Sequence, residues 1–191
     1  NRPVVCLVHN THPYKSIQDA QKTYVVYNCE WAKKLLHYDH PSIVLTPPCD
    51  HRHYNVCSDP ISNEFITLIS LNHNKGGELF YEIAKRMPHK KFLGVTGSYD
   101  PQIKRDLPNV TIMDKQVDIR PVYAKTRVLL MPSLYESWGM TGTEAMANGI
   151  PVIACPTPGL KENLGDAGIF MSPREWENPN ELDARKQIEK P

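Results

Sequence analysis

A chain of 191 residues that is 40% hydrophobic and 23% charged has apolar material for one large domain, or for one domain and part of another. Its 22 basic and 21 acidic side chains leave a net charge of +1, which excludes nucleic-acid or membrane binding driven by overall charge alone. Five scattered cysteines do not make a disulfide framework, and no apolar run approaches the roughly 20 residues that span a bilayer, so a reducing, cytoplasmic setting is expected.

Short apolar runs alternate with helix-like stretches along the chain, the pattern of a parallel α/β architecture. Asn1-Arg2-Pro3 leads straight into the first run; without a signal-peptide pattern or an initiator Met, the sequence reads as part of a longer chain. Residues 4–8, 24–27 and 43–45 are predicted to be three buried strands, with a helix over 30–36. A polar, proline-bearing stretch from 47 to 63 reads as a linker. Next come a strand over 65–71, the turn Asn72-His73-Asn74-Lys75-Gly76-Gly77, and a helix over 78–86 with Leu79, Ile83 and Met87 on one face. Further strands are predicted at 91–95, 110–113, 128–131, 152–154 and 169–171, and helices at 118–124, 140–147 and 160–164. Six strands with intervening helices fit a doubly wound sheet. The chain thus divides into a partial Rossmann-like segment with its linker (1–58), a nearly complete Rossmann-like domain (59–175) and a polar, Glu/Lys-rich tail (176–191) that reads as the start of a helix.

The most informative stretch is PSLYESWGMTGTEAMANGIPVIACPTPG, residues 132–159, which begins where a predicted strand ends. Open α/β sheets bind ligands at such strand ends. Gly139 allows close backbone approach at a helix start, where the free N–H groups of Met140, Thr141 and Gly142 and the helix dipole would favour an anion. Glu144 lies in the first turns of that helix and Glu136 on the loop before it. A carboxylate on each side of an anion-binding turn suits a diphosphate set between two polyols, which is the layout of a nucleotide-sugar.

Glu136 and Glu144, with seven residues between them, resemble the Glu-x7-Glu motif of the family-four, retaining glycosyltransferases, also called glycosyl transferases group 1. The segments EAMANGIPVIA, Gly159-Leu160-Lys161-Glu162, NVTIMDKQVDIRPVYAKTRVLLMPS and the strand–Lys-Gly-Gly–helix at Lys75 are similar to that family's pattern, from about residue 66 to 173. The resemblance implies the GT-B fold, an α/β architecture of two Rossmann-like domains. It also implies roles: Glu144 accepts from the ribose hydroxyls, Glu136 holds the transferred sugar, and Lys75, with Gly76 beside it, neutralises the diphosphate. Ser70 stands where most members carry an arginine, and the Asn72 and Asn74 turn resembles that of a subgroup; Lys161 is a candidate replacement cation. PVVCLVHN resembles the first-domain strand ending in a cleft-facing His, with His9 in that place and His12 its near competitor. Tyr27-Asn28-Cys29-Glu30-Trp31 resembles a strand-to-helix turn of the same domain.

The expected activity is transfer of a sugar from a UDP-, GDP- or ADP-sugar to a carbohydrate or lipid-linked acceptor, with retention and without a metal or other cofactor. No nucleic-acid partner is expected, and peripheral membrane contact would come through an N-terminal half beyond this sequence. Two readings compete: a nucleotide-sugar binding module without turnover, motivated by Ser70, and a GT-B epimerase or hydrolase. Away from the motif, Glu144 would read as a solvated first-turn carboxylate and Lys75 as a surface lysine. Cys49, Asp50, His51, His53 and Cys57 are metal-capable, but their spacing matches no usual zinc template. Tyr135 and Trp138 read as core aromatics beside a strand end.

Overall fold

A computed structural model describes residues 2–56 and 59–171 of the chain. Two parallel sheets form. The first contains β1 (Val4–Val8), β2 (Thr23–Tyr27) and β3 (Ser42–Val44) in that order. Between them lie α1 (Lys15–Gln18) and α2 (Glu30–Leu36). The predicted boundaries of α2 hold because Cys29 caps its start, its sulfur accepting from the Ala32 N–H at 3.3 Å. His37 ends it in the left-handed region at φ 43°.

The three strands are not buried as predicted. Val8, Val25 and Tyr27 turn inward to a small core, whereas Val5, Leu7 and Ile43 are about 60% exposed. Parallel strands need cover on both faces, and among the described residues α1 and α2 supply it on one. The stretch predicted as a linker carries α3 (His51–Tyr54), a single turn capped by Asp50, and a 3-10 turn at Pro60–Ser62.

The second sheet contains β4 (Phe65–Ile69), β5 (Lys91–Val95), β6 (Val110–Met113), β7 (Thr126–Met131), β8 (Val152–Ala154) and β9 (Ile169–Phe170). Their spatial order is β6-β5-β4-β7-β8-β9, all parallel. This is the doubly wound order, with its reversal point between β4 and β7. Helices α4 (Gly77–Arg86), α5 (Arg120–Tyr123), α6 (Met140–Ala147) and α7 (Pro158–Leu164) cover it. Strand alternation divides the core: Leu129 and Met131 pack with Ala145, Ile150 and Leu160 on one face, Leu130 with Phe80, Tyr81 and Phe92 on the other. The buried stripe of α4 is Phe80, Tyr81 and Ala84, not Leu79; aromatic bulk decides which face turns inward, and Ile83 and Met87 sit at its margin. The predicted tail at 176–191 lies outside the described residues.

Candidate functional site

Local chemistry builds the turn between β4 and α4. Asn72 is buried, its Oδ1 accepting from the Lys75 N–H at 2.8 Å and its Nδ2 donating to the Ser70 hydroxyl at 3.0 Å. Its amide is thus engaged in shaping the turn, so Asn72 acts on a ligand through Ser70 and Lys75. Gly76 sits at φ 79°, and a Cβ there would lie 2.5 Å from the Pro132 carbonyl oxygen. Only glycine fits, and the turn is thereby pressed against the loop after β7. The Leu134 N–H completes the seam, donating to the Asn74 carbonyl at 2.8 Å. Ser70 holds φ 72°, a strained backbone for a residue with a Cβ.

This seam brings together residues 61 apart in sequence. Lys75 Nζ meets Glu136 Oε1 at 2.5 Å, and the Ser133 hydroxyl donates to the same oxygen at 3.0 Å. The Glu136 side chain is only 10% exposed. Ser70, Lys75, Ser133, Glu136 and Thr141 line a pocket at the carboxyl ends of β4 and β7, the reversal point of the sheet. Its enclosed volume, about 90 Å³, admits one end of a ligand, since drug-sized ligands need ~300 Å³ or more.

Gly139 begins α6 at φ 89°, and a Cβ there would sit 2.6 Å from Leu160 Cδ2. The Met140 and Thr141 N–H groups donate to no carbonyl among the described residues. Gly142 departs from the prediction: its N–H donates to the Gly139 carbonyl at 2.9 Å, because the helix opens with a tight turn. Asn163 of α7 fixes this start, its amide donating to the Trp138 and Gly139 carbonyls at 2.9 and 3.0 Å.

Glu144 lies one turn further along α6, half-buried and outside the pocket lining. The Tyr123 hydroxyl donates to its Oε2 at 2.6 Å, and Tyr54 of α3 also hydrogen-bonds it. Burial raises the Glu144 pKa above the usual range, against the lowering effect of the two phenols. Burial and the neighbouring carboxylate push the Tyr123 phenol far up, so it remains a donor. A carboxylate has about four acceptor sites, so Glu144 retains capacity for ribose hydroxyls.

His9 is exposed after β1 and does not line the pocket. Its carbonyl accepts from Asn28 Nδ2 at 3.3 Å. His12 and Lys161 are likewise exposed and outside the lining. Among the described residues no three His, Cys, Asp or Glu side chains converge as a metal group; Cys57 lies outside them. Tyr54, Tyr123 and Asn163 carried no signal of function in the sequence, because each acts through a partner distant along the chain.

The model of the glycosyl transferases group 1 family matches residues 63–183, more than half of the chain. The chain belongs to that family. The Lys75–Glu136 pocket and the start of α6 both fall inside the matched region. Among curated relatives, O-antigen chain mannosyltransferase B of Escherichia coli is 37% identical over 67 residues, 35% of this chain and 16% of its own length. A probable glycogen synthase of Methanocaldococcus jannaschii is 41% identical over 59 residues, 31% of this chain and 11% of its own length. Among solved structures, Anabaena HepE in complex with UDP-glucose has a TM-score of 0.73 and 18% identity, over 98% of this chain and 63% of its own. A glycosyltransferase from Rickettsia africae has a TM-score of 0.72 and 16% identity, over 96% of this chain and 60% of its own. The group 1 chain therefore has the GT-B α/β fold, and it spans about 60% of the length of these structures.

Proposed function

We propose that this chain carries the donor site of a glycosyltransferase that moves a sugar from a nucleotide-sugar to a carbohydrate or lipid-linked acceptor, with retention and without a metal ion. The observation that carries the reading is the Lys75–Glu136 pair at the reversal point of the sheet, beside the Met140 and Thr141 N–H groups of α6, which have no hydrogen-bond partner among the described residues. A cation and oriented amides around one pocket match the charge of a diphosphate. The nucleotide would lie with its ribose on Glu144 and its diphosphate against Met140, Thr141, Gly139 and Lys75. The sugar would lie toward Glu136.

Ligand entry divides the ion pair. The diphosphate competes with Glu136 for Lys75, and the sugar hydroxyls compete with Lys75 for Glu136. In the transfer the bond between the anomeric carbon and the phosphate oxygen breaks, its electrons staying on the phosphate beside Lys75. The acceptor hydroxyl forms the new bond on the same face and gives its proton to the departing phosphate oxygen. Glu136 faces the positive charge that develops on the sugar. Binding to a glycan precursor or a lipid carrier at the membrane surface belongs to the same proposal. Among the described residues no helix is long and apolar enough to cross a membrane.

Thermal stabilisation by UDP, GDP or ADP tests the donor site, since ligand at 100 times its Kd adds about 2.7 kcal/mol. One of the three should raise the Tm of the natural protein, and no shift with any would sink the reading. Ser70, in the place of the family's usual arginine, favours a second reading: a binding module without turnover. Nucleotide release from a matched donor separates the two.

A further inference from the structure

The loop carrying Glu136 is held on two sides by different parts of the molecule. On one side α7 presses against it: a Cβ on Gly159 would lie 2.3 Å from the Glu136 carbonyl oxygen and 2.4 Å from that of Ser137. On the other side the first sheet grips both neighbours of Glu136. The Thr11 N–H and hydroxyl donate to the Tyr135 phenol oxygen at 3.0 and 2.9 Å. The Asn28 amide donates to the Ser137 hydroxyl at 3.3 Å, and the Cys29 thiol to the Ser137 carbonyl at 3.2 Å. The Trp31 ring packs on Tyr135 with centroids 6.1 Å apart. The two halves are also joined directly: Glu162 of α7 accepts from the Glu30 and Trp31 N–H groups at the start of α2, at 2.7 and 2.9 Å.

Among the described residues, Met140, Thr141 and Glu144, assigned to the nucleotide, make no hydrogen bond to the first sheet. Glu144, Met140 and Thr141 lie on α6, and Glu144 contacts Tyr123 and Tyr54 rather than the first sheet. The Glu136 side chain itself touches Lys75 and Ser133 of the second sheet. Among the described residues the hydrogen bonds from the first sheet's side to this loop therefore fall on Tyr135 and Ser137, beside Glu136, while toward Gly139 only the Trp138 ring packs against the core of that sheet.

We propose that Thr11 and Asn28 are positioning residues for Glu136, acting through Tyr135 and Ser137, so that the contact between the two sheets sets turnover and not nucleotide affinity. This rests on the reading of Glu136 as the sugar-side carboxylate. Glu162 supports the same contact from the far side of the loop, holding α2 in register with α7.

The test uses the full-length protein, with the calorimetric Kd of UDP and the rate of UDP release from UDP-glucose as readouts. The GDP or ADP counterparts replace them if thermal stabilisation selects that base. Tyr135→Phe and Thr11→Val should each lower kcat about tenfold while the UDP Kd stays within twofold. Thr11→Ser keeps the hydroxyl and should retain the wild-type kcat. Glu162→Ala should lower kcat in the same way, with Glu162→Gln intermediate because an amide NH2 replaces one of the two accepting carboxylate oxygens. Unchanged kcat in Tyr135→Phe and Thr11→Val overturns the proposal while leaving the donor-site reading intact. So does a joint loss of kcat and UDP affinity with a lowered Tm, the mark of a merely structural contact. Failure of the wild type to bind any of the three nucleotides removes the donor-site reading, and this proposal with it.

Discussion

Lys75 and Glu136 make opposite predictions for nucleotide affinity, although they are partners. The Lys75 side chain is 32% exposed and that of Glu136 10%, so the pair lies in a partly dry pocket where charge is weakly screened. An ammonium ~4 Å from a phosphate charge interacts by about 4 kcal/mol at an effective dielectric of 20. Desolvation reduces the net value to roughly 1.5–3 kcal/mol, typical of a charge-assisted hydrogen bond. Lys75→Ala should therefore weaken nucleoside diphosphate binding about 10- to 100-fold. Glu136→Gln should do the reverse: it frees Lys75 from its ion pair, and the diphosphate then binds as well as before, or up to ~10-fold tighter. Turnover should fall in both variants, because the sugar-side carboxylate or the leaving-group cation is gone. Isothermal calorimetry with UDP, GDP or ADP at constant ionic strength reads both effects. If Glu136→Gln weakens the diphosphate as much as Lys75→Ala does, the two residues hold the same ligand group and the division of the pocket proposed above is wrong.

Other consequences follow from the same site. Glu144→Gln should weaken nucleotide binding at least tenfold by removing a charged acceptor for the ribose, yet leave the Tm at pH 7 unchanged or higher. Glu144 has a folded pKa above its ordinary 4.5, so its contribution to stability is present below that pH and is lost as pH rises through the raised value. A large fall in Tm for Glu144→Gln at pH 7 would show that the ionised carboxylate holds Tyr54 and Tyr123 in place. Gly139→Ala forces a Cβ into the left-handed region and to within 2.6 Å of Leu160, which should cost about 2 kcal/mol or more in a denaturant melt; a neutral result would mean that the start of α6 adjusts freely. Burial pushes the Cys155 thiol up to about 11, so under native conditions at pH 8 it should resist alkylation while partly exposed Cys6 reacts. Equal labelling rates of the two would contradict the packing around β8.

Much of the second sheet was legible because short apolar runs, glycines and prolines mark its strands and helix ends locally. The helix at 140–147 was predicted with its observed bounds, since Gly139 and Asn148-Gly149 delimit it. Long-range matters were not legible. The burial of β1 depends on what covers each face of its sheet, and the inward face of α4 depends on which aromatic side chains the sheet accepts. The engagement of Asn72 within its own turn, and of the Gly142 N–H with Gly139, depends on backbone angles that residue types do not specify. The motif marked Lys75 and Glu136 as donor-site residues, but their meeting rests on the Gly76–Pro132 approach. The grip of Thr11 on Tyr135 joins residues 124 apart, and no spacing rule announces it. His9 was placed by its resemblance to the family's strand-ending His, and Thr11, two residues on, carried no such signal although it hydrogen-bonds Tyr135 of the donor half.

A crystal of the protein soaked with UDP-glucose, or with the GDP- or ADP-sugar that thermal stabilisation selects, tests the central claim most directly. The account predicts diphosphate oxygens ~3 Å from the Met140 and Thr141 N–H groups and from Lys75 Nζ, with the ribose on Glu144 and the sugar turned toward Glu136. A nucleotide-sugar bound elsewhere on the chain, with the Lys75–Glu136 pair undisturbed, would contradict it.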